Sequence, residues 1–426
     1  MRLTWQLTGT EKRPPAGETI MNTTLDGIRA IEFAQYISGP YCGMLLAGYG
    51  AQVTKIEDPL VGDISRRCGP FPYDIPHIDR SGLFHFLNRN KRGITLDIRK
   101  ATGREIVLSL IREADVLIED LRPQSAADLK LDFAHLKEVN PKLIVVSITP
   151  FGQTGPYKDY KAYAINASAL GGMSTILGDP QREPLTPPFS LGHFQTGIIA
   201  ANGIMSALMA KRGDEKGQHI DISEAESWAI FHTGNVVSSF IYSGRKRTRT
   251  GHRTYGPYPY TLLPCKDGYI SMIALRGSEW KRFLEIVGDG KVPEWYASDD
   301  RFKDRAKAGL EYADVLDNLL APWLMARTRE EIFNRCREKH VPFAPVRNMN
   351  EVINCEHLDA RQYFEEIRCP ETKPYKCPGA PVRFSKTSWN LNQTAPNLSE
   401  HNYGVYCESL GYSKEQLLQW HRMGIV

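Results

Sequence analysis

Short apolar runs rich in β-branched residues alternate with helical segments over the first 150 residues, and this alternation restricts the fold more than any other feature. Segments with apolar residues at helical spacing separate the runs, as in GREIVLSLIREA at 103–114. The runs are IRAIEFA, QVTKIE, GITLDI, DVLIED and LIVVSITPFG. Because helices are the usual connections between parallel strands, the pattern predicts an α/β fold with a doubly wound, mostly parallel sheet.

No glycine-rich phosphate-binding loop follows the first run. SGPYCG stands there, at residues 38–43, and it does not match the pattern G-x-G-x-x-G. In dinucleotide-binding enzymes that pattern lets the backbone approach the pyrophosphate. A nicotinamide-dependent enzyme is therefore disfavoured.

Charge and cysteine usage favour a small-molecule or protein partner. Lys plus Arg number 53 and Asp plus Glu number 49, so neither nucleic acid nor a membrane surface is expected as a partner. The eight cysteines lack the spacing of a metal site, and we expect no metal. No run approaches the roughly 18 apolar residues that span a bilayer. The predicted location is the cytoplasm.

Breaker-rich stretches divide the chain. A helix predicted at 194–211 follows a tight turn, and the basic stretch SGRKRTRTGHR at 243–253 separates it from a second α/β pattern. The expected organisation is an N-terminal extension at 1–24, a large domain at 25–240, a small α/β domain at 241–345 and a C-terminal segment at 346–426 that returns to the large domain.

Nine stretches in one order carry a resemblance to a known family. They are LDGIRAIEFAQYISGP (25–40), GAQVTKIEDPLVGD (50–63), NKRGITLD (90–97), ADVLIEDLRP (114–123), GPYKDYKAY (155–163), TGIIAANGIMSAL (196–208), KGQHIDIS (216–223), CKDGYI (265–270) and EHNYGVYCESLGYS (400–413). Together they resemble the class III CoA-transferases, the family of formyl-CoA transferase and carnitine CoA-transferase. The resemblance implies a Rossmann-like large domain, a small domain and two chains interlocked as rings.

The resemblance also implies a mechanism, and this chain departs from it at one residue. In the family an aspartate carboxylate attacks the donor thioester and gives a mixed anhydride, and CoA thiolate then converts it into an aspartyl-CoA thioester. The resemblance places that aspartate just before the helix predicted at 194–211, where this chain has His193. Imidazole has no carbonyl to hold CoA as a thioester. His193 is therefore expected to be incompetent for the transfer. Two roles stay open for it: a neutral histidine at the helix start that bonds the backbone, or a catalytic acid, base or nucleophile.

This departure predicts a heteromer. Two-gene members of the family exist, and one of them activates benzylsuccinate with succinyl-CoA in anaerobic toluene degradation. By this analogy the chain is the non-catalytic subunit, and its partner is a homologous subunit that carries the aspartate. The expected substrates are an acyl-CoA and a carboxylic acid, with no tightly bound cofactor.

Further departures concern the CoA site. Asp58 and Asp128 stand where the family often has Arg, and Asp120 replaces a common Asn, so CoA binding to this chain is expected to be unfavourable. The resemblance still implies four binding residues. They are Gln35 and Ser38 for the pantetheine arm, and Arg99 and Lys161 for the nucleotide and the thioester.

Two other functions stay open at this point. One is an acyl-CoA racemase, an enzyme that shares the fold. Such a racemase resembles the family but uses a Gly-His-Asp triplet, and this chain has Ala162, Tyr163 and Ala164 there. It also uses the aspartate at the helix start, where this chain has His193. A catalytically inactive binding or regulatory homodimer is the other alternative. A single artificial substitution at position 193 would not explain Asp58 and Asp128.

Overall fold

A computed structural model describes residues 23–188, 190–214, 216–232, 237–254, 256–367 and 374–426. They form two compact units, each built from separate stretches of the chain. The first unit contains the described residues up to Thr149, Thr196–Ile222 and Glu366–Val426. The second contains Pro150–Gln195 and Ser223–Glu365.

The described strands fall into three sheets. The largest has six strands in the order β3-β2-β1-β4-β5-β6, which are β1 (Arg29–Phe33), β2 (Gln52–Glu57), β3 (Lys91–Thr95), β4 (Val116–Glu119), β5 (Ile144–Thr149) and β6 (His219–Ser223). The second sheet has the order β7-β8-β9, which are β7 (Tyr260–Cys265), β8 (Gly268–Ile273) and β9 (Ala344–Pro345). The third pairs β10 (Phe364–Ile367) with β11 (Tyr375–Pro378).

Helices connect and cover these strands. Those up to the middle of the chain are α1 (Ser38–Gly48), α2 (Gly82–Leu87), α3 (Ala101–Arg112), α4 (Pro123–Leu129), α5 (Phe133–Val139), α6 (Ala164–Leu170), α7 (Met173–Ile176), α8 (Leu191–Asp214), α9 (Glu224–His232) and α10 (Ser238–Ser243). Those that follow are α11 (Gly277–Val287), α12 (Glu294–Ala297), α13 (Arg305–Glu311), α14 (Ala313–Met325), α15 (Arg329–Glu338), α16 (Met349–Ile353), α17 (Glu356–Ala360) and α18 (Lys414–Arg422). A π-helical turn at Gly404–Ser409 precedes α18.

The predicted parallel, doubly wound sheet is confirmed. Strand β1 pairs in parallel with β2 and β4, β2 pairs in parallel with β3, and β4 pairs in parallel with β5. Neighbouring residues of one strand enter different apolar clusters. Ala30 packs in the cluster that contains α1 and α8 residues, and Ile31 packs in the cluster that contains α3 residues. Since successive strand side chains point to opposite faces, helices cover both faces of the sheet.

The second unit has its own core around β7 and β8. Ile270 and Met272 of β8 are fully buried there with Phe283 of α11 and Leu320 of α14. The two strands pair antiparallel, from Tyr260 opposite Ile273 to Cys265 opposite Gly268.

Candidate functional site

A crevice opens at the carboxyl ends of β1–β4 and has a volume of about 230 Å³. We call it the strand-edge crevice. Its lining residues are Phe33, Gln35, Ile56, Glu57, Asp58, Gly62, Asp63, Leu96, Asp97, Ile98, Arg99, Leu121 and Leu129. The strand order reverses between β1 and β4. In open α/β sheets, ligands bind outside the carboxyl ends of the strands at such a reversal.

Two of the four predicted binding residues meet in this crevice. Gln35 follows β1 and Arg99 follows β3, and both line it. Ser38 is buried as the first residue of α1, three positions after Gln35. Lys161 is exposed and belongs to the second unit. A role for any of the four in CoA binding stays a prediction.

Two carboxylates hold the guanidinium of Arg99. Its Nε lies 2.7 Å from Asp97 Oδ1, and its Nη2 lies 3.2 Å from Asp58 Oδ2. The hydrogen bond from Arg99 is the main cause that lowers the pKa of Asp97. Asp58 is thus paired with a cation rather than isolated in the crevice.

The other two acids singled out in the sequence do not line the crevice. Asp128 accepts a hydrogen bond from Gln124 one turn earlier on α4, at 2.8 Å. Asp120 follows β4, and its Oδ2 accepts the backbone N–H of Gln35 at 2.8 Å. Of these three acids, therefore, Asp58 is the one that alters the charge of the crevice.

Two adjacent carboxyl groups at the end of β4 are hard to ionise. Burial is the main cause that raises the pKa of Asp120 to about 7 and that of Glu119 to about 8. Ser147 and the Leu121 amide donate hydrogen bonds to Glu119 and partly offset this effect. Protonation at this strand end therefore changes near neutral pH.

Four charged side chains form a buried cluster beneath the segment that carries Gln35 and Ser38. We call Glu32, Lys55, Asp63 and Lys91 the buried charge cluster, and each is at most 1% exposed. Lys55 Nζ lies 2.8 Å from Glu32 Oε1 and 2.7 Å from Asp63 Oδ2. Lys91 Nζ lies 2.7 Å from Glu32 Oε2, and burial lowers the pKa of Lys91 to about 8. With all four groups ionised, two positive charges balance two negative ones.

The same cluster fixes the backbone of residues 34–40. Lys55 donates to the Ala34 carbonyl at 2.9 Å, and Lys91 donates to the Pro40 carbonyl at 2.8 Å. Asp63 Oδ1 accepts the N–H of Tyr36 at 3.1 Å, and Tyr36 has a left-handed φ of 66°. Because these polar groups satisfy one another, the buried charges position the loop between β1 and α1.

His193 lies in the first turn of α8, in the second unit. The helix starts at Leu191, three residues earlier than the sequence predicts. The imidazole Nδ1 lies 2.6 Å from Glu224 Oε1, and His193 and Glu224 are 9% and 8% exposed. When Glu224 is ionised its carboxylate can only accept hydrogen bonds, and Nδ1 is then the donor. The sequence does not predict this side-chain partner. It predicts the backbone as the hydrogen-bond partner of the histidine.

One face of α9 holds the first turn of α8. Besides the hydrogen bond between His193 and Glu224, the Ser227 carbonyl accepts a hydrogen bond from the Gln195 side chain. Trp228 packs so closely on Gly192 that a Cβ on this glycine would collide with the indole ring. Positions 224, 227 and 228 lie on one side of a helix, so the turn is fixed by three neighbouring contacts.

Neither a metal site nor a membrane span was found in the part of the chain that the structure describes. No group of three or more His, Cys, Asp or Glu residues in the described ranges could hold a metal ion. None of the helices described is both long and apolar enough to cross a bilayer.

Comparisons with known proteins agree with this architecture. The chain matches the family model of CoA-transferase family III over residues 25–402. The succinate–glutarate CoA-transferase of Agrobacterium fabrum (strain C58) is 30% identical over 393 residues, which cover 90% of this chain and 95% of that protein. The crystal structure of a CAIB/BAIF family protein from Brucella suis is 31% identical with a TM-score of 0.79, and the match covers 91% of this chain and 99% of that chain.

Some relatives are named as subunits of one enzyme. The succinyl-CoA–L-malate CoA-transferase alpha subunit of Chloroflexus aurantiacus is 30% identical, with 97% of this chain and 94% of that subunit covered. The beta subunit is 30% identical, with 94% of this chain and 97% of that subunit covered. Similarity therefore extends to both subunits of a relative with two kinds of chain.

Proposed function

Since the chain belongs to CoA-transferase family III, we propose that it is the non-catalytic subunit of a heteromeric CoA-transferase. A homologous subunit carries the nucleophilic aspartate. The observation that supports this most is the buried hydrogen bond between His193 and Glu224 in the first turn of α8. The resemblance assigns the nucleophile to position 193.

The chemistry of the family excludes imidazole from this role. A carboxylate first attacks the thioester carbonyl and displaces CoA thiolate, which gives a mixed anhydride. The thiolate then attacks the aspartyl carbonyl and releases the donor acid, so CoA ends as a thioester of the enzyme. His193 has no carbonyl to receive the thiolate, and its Nδ1 is engaged with Glu224. The two residues form a pseudo-active site.

The partner and substrates follow from the relatives and the resemblance. A family member with alpha and beta subunits is similar to this chain over nearly its full length. Names of relatives include succinyl-CoA as a substrate. We propose that the complex is cytoplasmic, moves CoA from succinyl-CoA to a dicarboxylic acid, and uses benzylsuccinate as that acid in the degradation of an aromatic compound.

Trapping the covalent intermediate tests the proposal. The chain, its homologous partner and the two together are incubated with succinyl-CoA and benzylsuccinate, and hydroxylamine is added during turnover. Hydroxylamine converts an aspartyl thioester into an aspartyl hydroxamate, which mass spectrometry locates on one subunit. We expect turnover only from the mixture and the adduct only on the partner. An adduct on this chain, or full activity from this chain alone, would refute the proposal.

A variant of this chain provides a matched measurement. In the complex, H193Q removes the imidazole but keeps an amide that can bond Glu224. Because residue 193 does not act as the nucleophile, we expect the turnover rate of this variant complex to stay within about threefold of the rate of the unsubstituted complex. A loss of about a thousandfold or more would assign chemistry to His193 instead.

A further inference from the structure

Asp58 places a carboxylate at the carboxyl end of β2, inside the strand-edge crevice. We propose that this crevice binds a nucleoside group whose ribose hydroxyls are free, and that it discriminates against a ribose that carries a phosphate, as in CoA. The inference rests on the proposed function in one respect, because a non-catalytic chain has no need to hold CoA.

Apolar side chains form much of the wall of the crevice. Phe33, Ile56, Leu96, Ile98 and Leu121 contribute apolar surface from the ends of four neighbouring strands. Ile56, Leu96 and Ile98 are each at most 5% exposed, so this surface is part of the packed core. An apolar slot with a few fixed polar groups at its margin is the usual form of a small-molecule site.

The polar margin accepts hydrogen bonds. Asp58 Oδ1 accepts the backbone N–H groups of Leu60 and Val61 at 2.9 and 3.2 Å, which fix the orientation of its carboxylate. Each carboxylate oxygen has two lone pairs, so Asp58 and Asp97 retain capacity to accept from hydroxyl donors. A ribose with free hydroxyls offers such donors, whereas a phosphate dianion offers only acceptors. In dinucleotide-binding folds an acid after β2 likewise bonds a free ribose hydroxyl, and arginine accommodates a phosphate.

The charge of the margin acts in the same direction. Among the described residues that line the crevice, Arg99 is the one cation, and Asp58 and Asp97 both contact its guanidinium. These three side chains together carry one net negative charge. The other two acids in the lining have cations of their own, since Glu57 pairs with Arg66 and Asp63 pairs with Lys55. A phosphate monoester adds nearly two negative charges at neutral pH, so the site repels it.

Calorimetric titration of the full-length chain tests this selectivity. The probes are CoA and dephospho-CoA, which differ in the ribose phosphate alone. We expect dephospho-CoA to bind at least about tenfold more tightly than CoA, a ratio that corresponds to one decade in Kd. Equal or tighter binding of CoA, or no measurable binding of either probe, would overturn the inference.

Two substitutions at position 58 isolate the charge. D58N keeps an oxygen for the Leu60 and Val61 amides while it removes the negative charge. The ratio of the Kd of CoA to the Kd of dephospho-CoA should therefore fall towards one. D58R supplies a cation and should reverse the preference. Circular dichroism and thermal unfolding confirm that both variants are folded. A preference unchanged in D58N and D58R would also overturn the inference.

The outcome is separable from that of the proposed function. Binding is measured without turnover, whereas the proposed function depends on where the hydroxamate forms. CoA binding at least as tight as that of dephospho-CoA, with no adduct on this chain, would overturn the ribose selectivity alone. An adduct on this chain would refute the non-catalytic role whatever the ratio of affinities.

Discussion

Glu224 accepts the hydrogen bond of a buried imidazole. Substitution of Glu224 shows how much this hydrogen bond contributes to the free energy of unfolding. In E224A the Nδ1–H of His193 loses its acceptor in a site about nine-tenths buried. We expect the free energy of unfolding to fall by about 1–3 kcal/mol. E224Q retains a side-chain oxygen that can accept the same hydrogen bond, so E224Q should lose less free energy of unfolding than E224A. Urea unfolding of both variants gives the comparison, and equal losses would contradict a specific hydrogen bond.

Asp120 makes stability depend on pH. Its pKa of about 7 in the folded chain lies above the ordinary value of 3.8, so the native state binds more protons between these values. The contribution of Asp120 to stability therefore falls as the pH rises from about 4 to 7. D120N stays neutral and keeps an acceptor for the Gln35 N–H. We expect D120N to gain about 1–3 kcal/mol at pH 8 and almost nothing at pH 4, measured by urea unfolding at both pH values. A gain that is independent of pH would show that ionisation of Asp120 is not the cause.

At the scale of elements, the buried charge cluster connects three strands to the loop before α1. K91M leaves Glu32 with one cation instead of two and frees the Pro40 carbonyl. Breaking such a buried arrangement costs about 3–5 kcal/mol. In K91M/E32Q the remaining Lys55 and Asp63 balance each other, so we expect part of the stability to return. Urea unfolding detects this recovery, and a double variant less stable than K91M would argue against charge balance.

The contact between α8 and α9 gives a second prediction for an element. G192A adds a methyl group where Trp228 packs, and overpacking of this kind costs about 1–3 kcal/mol. Gly213 provides the control in the same helix, because a Cβ there meets nothing within 4 Å. G213A should be neutral or up to about 1 kcal/mol more stable, since alanine favours helices. Equal effects of the two substitutions on the unfolding midpoint would refute the packing argument.

Local patterns predict the elements of this fold better than they predict its site. The strands β1–β5 are recognisable because each is a short apolar run next to a helical period. The sequence predicts the start of α8 three residues too late, since Leu191 and Gly192 follow a proline-rich stretch and glycine is a poor helix former. Here the contact with Trp228, 36 positions away, supports the first turn.

The polar contacts of the site depend on tertiary structure. Gln35 and Arg99 were named from the resemblance, and the structure places both in one crevice. Their partners are Asp120 and Asp58, two acids that the sequence predicts to be unfavourable to CoA. Which carboxylate reaches which cation depends on the register of parallel strands, and no local pattern encodes it. Charged residues inside buried strands, such as Glu32 and Lys55, were the available signal for the cluster.

Helix α10 exposes three consecutive large apolar side chains. Phe240, Ile241 and Tyr242 are 54%, 69% and 88% exposed. Exposed apolar patches mark interaction surfaces, and the resemblance implies an interlocked dimer. We expect the backbone amides of α10 to exchange hydrogen at least about tenfold more slowly in the complex with the homologous subunit. Hydrogen exchange read by mass spectrometry tests this, and unchanged exchange across α10 would place the interface elsewhere.

Under the proposed function, the buried bond between His193 and Glu224 makes a return to catalysis by this chain a two-step change. An aspartate restored at position 193 would face the carboxylate of Glu224 in a nearly dry site, where one of two neighbouring acids is forced to keep its proton. The two acids would share one proton, which leaves the aspartate less available as an ionised nucleophile, so we expect H193D alone to restore little CoA transfer. Replacement of Glu224 by a neutral residue would be needed as well, so in the proposed complex the specialisation of the two subunits takes two mutations to undo.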